Sequence, residues 1–94
     1  MAPACRVLST AAFERTLKQL ARKHPDIPDV FADILTILEI DPLNVSRQHN
    51  IRKLVNVEHG DGAWRIRSGV YRVRYDVEAA TVTLHSINHR KDAY

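Results

Sequence analysis

Apolar side chains along this sequence recur with two different periods, and the change falls near residue 50. Phe13, Leu17, Leu20 and Ala21 stand at i, i+4, i+7 and i+8, while Glu14, Arg15, Lys18, Arg22 and Lys23 occupy most of the remaining surface. That spacing predicts an amphipathic helix. Ser9 or Thr10 offers the capping hydroxyl, and Pro25 stops the helix because its ring disfavours helical geometry at His24. A second helix follows, with Asp26 at its cap, Pro28 in its first turn and a stronger apolar face of Ile27, Val30, Phe31, Ile34, Ile37 and Leu38. Asp41-Pro42 ends it. Ahead of the first helix, Ala4 to Leu8 reads as a short strand, and the two helices form an antiparallel hairpin.

After a polar connection from Leu43 to His49 the period becomes two. Ile51 to Val57 reads as a strand, His59-Gly60-Asp61-Gly62 as a glycine-rich turn, and Ala63 to Arg67, Val70 to Val77 and Thr81 to Ile87 as an antiparallel meander. The predicted class is therefore α+β: an N-terminal strand and a two-helix antiparallel hairpin packed on a four- to five-stranded, mainly antiparallel sheet. Trp64 and Ile66 share one face of their strand, as do Tyr71, Val73, Tyr75 and Val77 on the next, so these aromatics read as core. Ile87 falls on the wrong parity relative to Val82 and Leu84. A bulge near His85 or Ser86 would reconcile them, and so would burial on both faces beneath a partner.

Alternation sends Arg65 and Arg67 to the polar side of one strand, and Arg72 and Arg74 to the same side of its neighbour. Four guanidinium groups converge where Asp76 is the only nearby acid. A solvated sheet face lined by arginine stems is the ordinary reading; the planar fork of arginine, suited to phosphate, favours an anionic ligand. Charge agrees with this. Residues 1 to 46 carry five Lys/Arg against six Asp/Glu, whereas residues 47 to 94 carry nine against five. Such an excess in the C-terminal half fits a phosphate-rich partner.

Ninety-four residues leave room for one domain, residues 1–94, and 45% hydrophobic with 27% charged residues is a globular composition. A single cysteine, Cys5, excludes an internal disulfide and a cysteine-held zinc, which points to a reducing, cytoplasmic setting. No stretch reads as a membrane span or an export signal.

The run Trp64-Arg65-Ile66-Arg67-Ser68-Gly69-Val70-Tyr71-Arg72-Val73-Arg74-Tyr75, followed by Asn88-His89-Arg90-Lys91-Asp92-Ala93-Tyr94, resembles the RelE/ParE superfamily of type II toxins. Phe13-Glu14-Arg15, Leu17-Lys18-Gln19-Leu20, Lys23-His24-Pro25 and Ile51-Arg52-Lys53-Leu54 extend the resemblance, in the same order, over nearly the whole chain. It implies a single RelE-like toxin domain, held inactive in a hetero-oligomer with a cognate antitoxin protein. In the RelE branch it implies an endoribonuclease that acts with the ribosome on mRNA, without metal or cofactor. The alternatives are a ParE-like inhibitor of DNA gyrase and an inactive antitoxin-binding form.

By that resemblance Arg65, Arg67, Arg72, Arg90 and Tyr94 match the catalytic set, and His89 falls where relatives carry a basic or imidazole side chain. Arg52, Lys53, Arg74 and Lys91 complete the basic set as RNA contacts. Cleavage of this kind uses the 2′-hydroxyl as nucleophile, so the protein need only orient the attack, neutralise developing charge and move two protons. Arginine, with a pKa above ~12, is a poor proton donor. His89, ordinarily near ~6.5, is the better acid or base candidate, and Tyr94 would ionise only in a strong cationic field or else stack on a base. The general base stays unassigned.

Overall fold

The computed structural model describes residues 5–90, in the order β1 (Arg6–Ser9), α1 (Ala11–Lys23), α2 (Ile27–Ile40), β2 (Ile51–Lys53), β3 (Trp64–Ser68), β4 (Tyr71–Glu78) and β5 (Thr81–His89). The five strands form one sheet in the order β1-β5-β4-β3-β2. Only β1 runs parallel to its neighbour; the other three pairings are antiparallel. The two helices supply apolar side chains to one side of this sheet. Among the described residues no helix is long and apolar enough to cross a membrane.

Thr10 is the cap of α1, its Oγ1 accepting the N–H of Phe13 at 3.0 Å. Asp26 departs from the expectation of a side-chain cap. Its carboxylate accepts the Tyr71 hydroxyl at 2.8 Å instead, tying the break between the helices to β4. At the other end of α2, Asp41 turns its carboxylate to the N–H groups of Val45 and Ser46 and to the Ser46 hydroxyl, which orders the connection into β2.

Phe13, Ile34, Leu38, Ile66, Val73, Tyr75, Val82, Leu84 and Ile87 are all buried in one core. Cutting a fully buried Ile34 or Leu38 back to alanine costs about 2–5 kcal/mol. The Tyr75 hydroxyl, deep in that core, donates to the Pro42 carbonyl at 2.6 Å.

The strand boundaries differ from the sequence reading, by one residue at each end of β3 and β4 and by more at β1, β2 and β5. β1 begins at Arg6, one turn of alternation later, and continues to Ser9. β2 ends at Lys53 rather than Val57, because Leu54 makes the last ladder bond, to Ala63 O, and Asn56 takes a left-handed φ of 62°. β5 runs two residues further, to His89. The parity of Ile87 is also resolved: Arg74 pairs with Ser86 and Tyr75 with Leu84, so His85 is an extra residue that shifts the rest of β5 by one. Such a bulge returns Ile87 to the core side.

Candidate functional site

Strand register brings the arginines into two rows. Arg65 stands opposite Arg74, and Arg67 opposite Arg72. Since paired residues share a face, all four leave the sheet on the side away from the helices. Arg52, paired with Arg65, extends the first row onto β2. The second row ends beside the tight β3–β4 turn, where Gly69 adopts a φ of +59° that favours glycine.

Past the end of β5, the N–H of Arg90 bonds Val70 O at 2.6 Å and draws that residue across the turn. Arg67, Arg72 and Arg90 thereby line one cleft of about 340 Å³, together with Gly69 and Val70. No acid lines it. The residue types present can receive an anion through charge-assisted hydrogen bonds, and they include no carboxylate or imidazole with which to hold a cation.

The remaining basic residues divide. Arg65 keeps to the first row, where its Nη2 lies 3.4 Å from Asn50 Oδ1. Arg74 is committed to the glycine-rich turn, donating from Nε to Gly62 O at 3.0 Å and from Nη2 to Asp61 O at 2.9 Å. Lys53, paired with Trp64, is on the opposite face from Arg52, its ammonium 6.0 Å from the indole centroid. Lys91 and Tyr94 lie outside the described residues.

His89 is placed differently from the acid or base role read from the sequence. It pairs with Tyr71, so its side chain shares the helix-facing side. There it stacks on His24 at 4.3 Å and 10°, and meets the Tyr71 ring edge-on at 5.3 Å. The bulge at His85 sets this parity, and uninterrupted alternation through β5 would place His89 among the arginines. Sequence reading also passed over His24, whose position before Pro25 marks only a helix end.

Asp76 and His85 are the other residues whose parts were missed. Asp76, 4% exposed, accepts the N–H groups of Gly60, Gly62 and Ala63 at 3.0–3.1 Å and His85 Nε2 at 2.7 Å. Burial alone would raise its pKa; the three backbone donors and the nearby imidazole outweigh that and hold the carboxyl below the ordinary range. Gly62 must be small, because a Cβ there would lie 3.1 Å from Arg74 Cβ. The pattern Gly-Asp-Gly with an acid on the polar side of β4 was the available signal for Asp76, and the parity of Ile87 pointed to the bulge without giving His85 its partner.

No family model and no curated protein matches this sequence. Among solved structures, the fold is similar to a chain of the archaeal RelE–RelB complex from Pyrococcus horikoshii OT3, with a TM-score of 0.66, 23% identity, and coverage of 92% of this chain and 94% of that one. It is similar to a chain of the RelB–RelE antitoxin–toxin complex from Methanococcus jannaschii, with a TM-score of 0.59, 23% identity, and coverage of 93% and 94%. A chain of the toxin–antitoxin complex RelBE2 from Mycobacterium tuberculosis gives 0.65 and 23% identity, covering 95% of this chain and 100% of that one. The likeness is one of fold: two helices on a five-stranded, mostly antiparallel sheet.

Proposed function

We infer that this chain is the toxin of a toxin–antitoxin pair and that it cleaves mRNA on the ribosome through the 2′-hydroxyl of its substrate. The observation that carries this reading is the cleft itself: three arginines, from β3, β4 and the residue after β5, around a space lined by no acid among the described residues. The fold shared with chains of RelE–RelB complexes supports it, as does the run of residues from Trp64 to Tyr75.

In the proposed reaction the 2′-oxygen attacks phosphorus, the bond to the 5′-oxygen breaks, and a cyclic phosphate and a 5′-hydroxyl result. Negative charge grows on the non-bridging oxygens in between. Arg67, Arg72 and Arg90 neutralise it, and one such donor is typically worth about 2.7–4 kcal/mol of transition-state stabilisation. Arg65 and Arg52 extend the row along which the strand's neighbouring phosphates run. The cleft's described lining is arginine, glycine and valine, with no carboxylate or imidazole, so its contribution is orientation and charge rather than proton transfer.

Primer extension on a reporter transcript during brief induction tests this. Translation-dependent cuts that vanish in an Arg72→Ala, Arg90→Ala variant are expected, with the antitoxin still bound. Intact transcript despite growth arrest, with loss of DNA supercoiling, would transfer the reading to gyrase; no arrest at all would leave an inactive antitoxin-binding protein.

A further inference from the structure

Behind the cleft, on the helix side of the same strand end, lies a smaller recess that the proposed chemistry does not use. It measures about 180 Å³ and is lined by Thr16, Gln19, Leu20 and Lys23 of α1 and by Ile87, Asn88 and His89 of β5. β1 pairs with β5 only as far as Leu84, so among the described residues this stretch of β5 has no strand on its outer edge. Arg90 turns its N–H to β4, and alternation therefore points the peptide group of Ile87 the other way, to that outer edge.

The geometry points to this recess as a subsite for one nucleobase of a single-stranded RNA, adjacent to the phosphate held in the arginine cleft. This assignment rests on the nuclease reading. Its chemistry is that of base recognition: the exposed carboxamide of Gln19 can both donate and accept, as the edge of a base requires, the Thr16 hydroxyl, which donates to Ala12 O at 3.1 Å, can accept, and Lys23 can meet the phosphate that follows. No acid lines it. The aromatic wall is preorganised, since His89 is fixed by the stack on His24 and by the edge of Tyr71, whose hydroxyl is anchored on Asp26.

Continuity with the cleft is direct. His89 lines the recess and Arg90 lines the cleft, and consecutive residues are ~3.8 Å apart at Cα. Asn88, which the register sets beside Arg72, borders the recess as well. A strand gripped at Arg90 would pass over the end of β5 and lay its next base against α1. Gln19 would then be a specificity-determining residue, acting on which nucleotide flanks the cut rather than on the bond that breaks.

The test uses the full chain and a short 2′-O-methyl RNA, which binds without being cut. In amide-detected NMR, shifts are expected at the Gln19 side chain and at Ile87 and His89, together with those at Arg67, Arg72 and Arg90. Gln19→Ala should weaken binding about three- to ten-fold and flatten the nucleotide preference beside the cut, while the thermal midpoint stays put. Shifts confined to the arginine cleft, or an unchanged preference in a Thr16→Ala, Gln19→Ala variant that still cuts, would overturn the subsite and leave the nuclease reading standing. Perturbation of the recess by antitoxin but not by RNA would also overturn it. An absence of RNA shifts anywhere would overturn the subsite, while the translation-dependent cuts on the reporter transcript decide the nuclease reading separately.

Discussion

Arg67→Gln sets the proposed function of the arginine face against the stability of the sheet. Arg67 stands directly opposite Arg72 and shares a cleft with Arg90. Like charges facing each other across a sheet are destabilising. Two unit charges ~6 Å apart in water repel by about 0.7 kcal/mol, so removing the Arg67 charge relieves about 1 kcal/mol from its two neighbours at low ionic strength. Glutamine keeps part of the stem that covers the sheet, and the backbone bond from Arg67 N–H to Asn50 O, at 2.9 Å, is untouched. For a domain of this size, about 1 kcal/mol corresponds to a rise of about 4–8 °C in Tm. Thermal unfolding followed by circular dichroism in ~0.01 M and ~1 M salt separates the electrostatic part, because the screening length falls from about 30 Å to about 3 Å. The gain should shrink at high salt. Cleavage by the same variant should fall by about 10²-fold or more, as expected for one lost charge-stabilising donor. A Tm that falls at low salt, or a gain indifferent to salt, would refute the repulsion and with it the view that the arginines are held together against their own interest.

Two further predictions concern groups outside the cleft. Asp76→Asn replaces a pure acceptor by a group that also donates, leaving part of the 60–63 turn unsatisfied, and should cost about 2–4 kcal/mol in urea denaturation. The carboxyl of Asp76 is depressed in the folded state, so its stabilisation is present above the ordinary aspartate pKa of about 3.9 and is lost as pH falls through the lower folded value. Asp41, held low chiefly by the Ser46 hydroxyl, contributes a second part of that acid limb, which the variant retains. An acid limb identical in variant and wild type would remove Asp76 from this account. At the other end of the scale, burial and the bond to Asp26 push the Tyr71 hydroxyl up to about 12. Stability should hold below about pH 10 and decline above it, and Tyr71→Phe should shallow that alkaline decline in pH-dependent thermal unfolding.

Much of the fold was legible because period and punctuation agree. The stripe from Phe13 to Ala21, the Pro25 break and the alternation from Trp64 to Val77 each gave one answer, and the observed elements follow them. What escaped the pattern was decided by contacts between distant residues. Asp26 has the sequence signature of a cap, but Tyr71, 45 residues away, claims its carboxylate. β2 has apolar residues enough for a longer strand, yet pairing stops after Leu54, and Val55 is left 84% exposed. The site divides in the same way. Alternation predicted that Arg65, Arg67, Arg72 and Arg74 share a face, but not that the 59–62 turn would engage Arg74. The bulge was readable from the parity of Ile87, and its consequence for His89, two residues on, follows from the same parity.

The placement of Asp76 is what leaves the cleft electropositive. It shares the arginine face, four residues along β4 from Arg72, which at ~3.3 Å per residue is a separation of ~13 Å. That exceeds the screening length of ~8–10 Å at physiological ionic strength. Its charge is also spent locally, on three backbone donors and His85. The only buried acid among the described residues therefore organises the turn that engages Arg74 and does little to offset Arg67, Arg72 and Arg90. An acid two residues nearer would have paired with those arginines and stabilised the sheet. Among the described residues no acid lines that cleft, and the planar forks that the strand register brings there are of the kind that suits a phosphate.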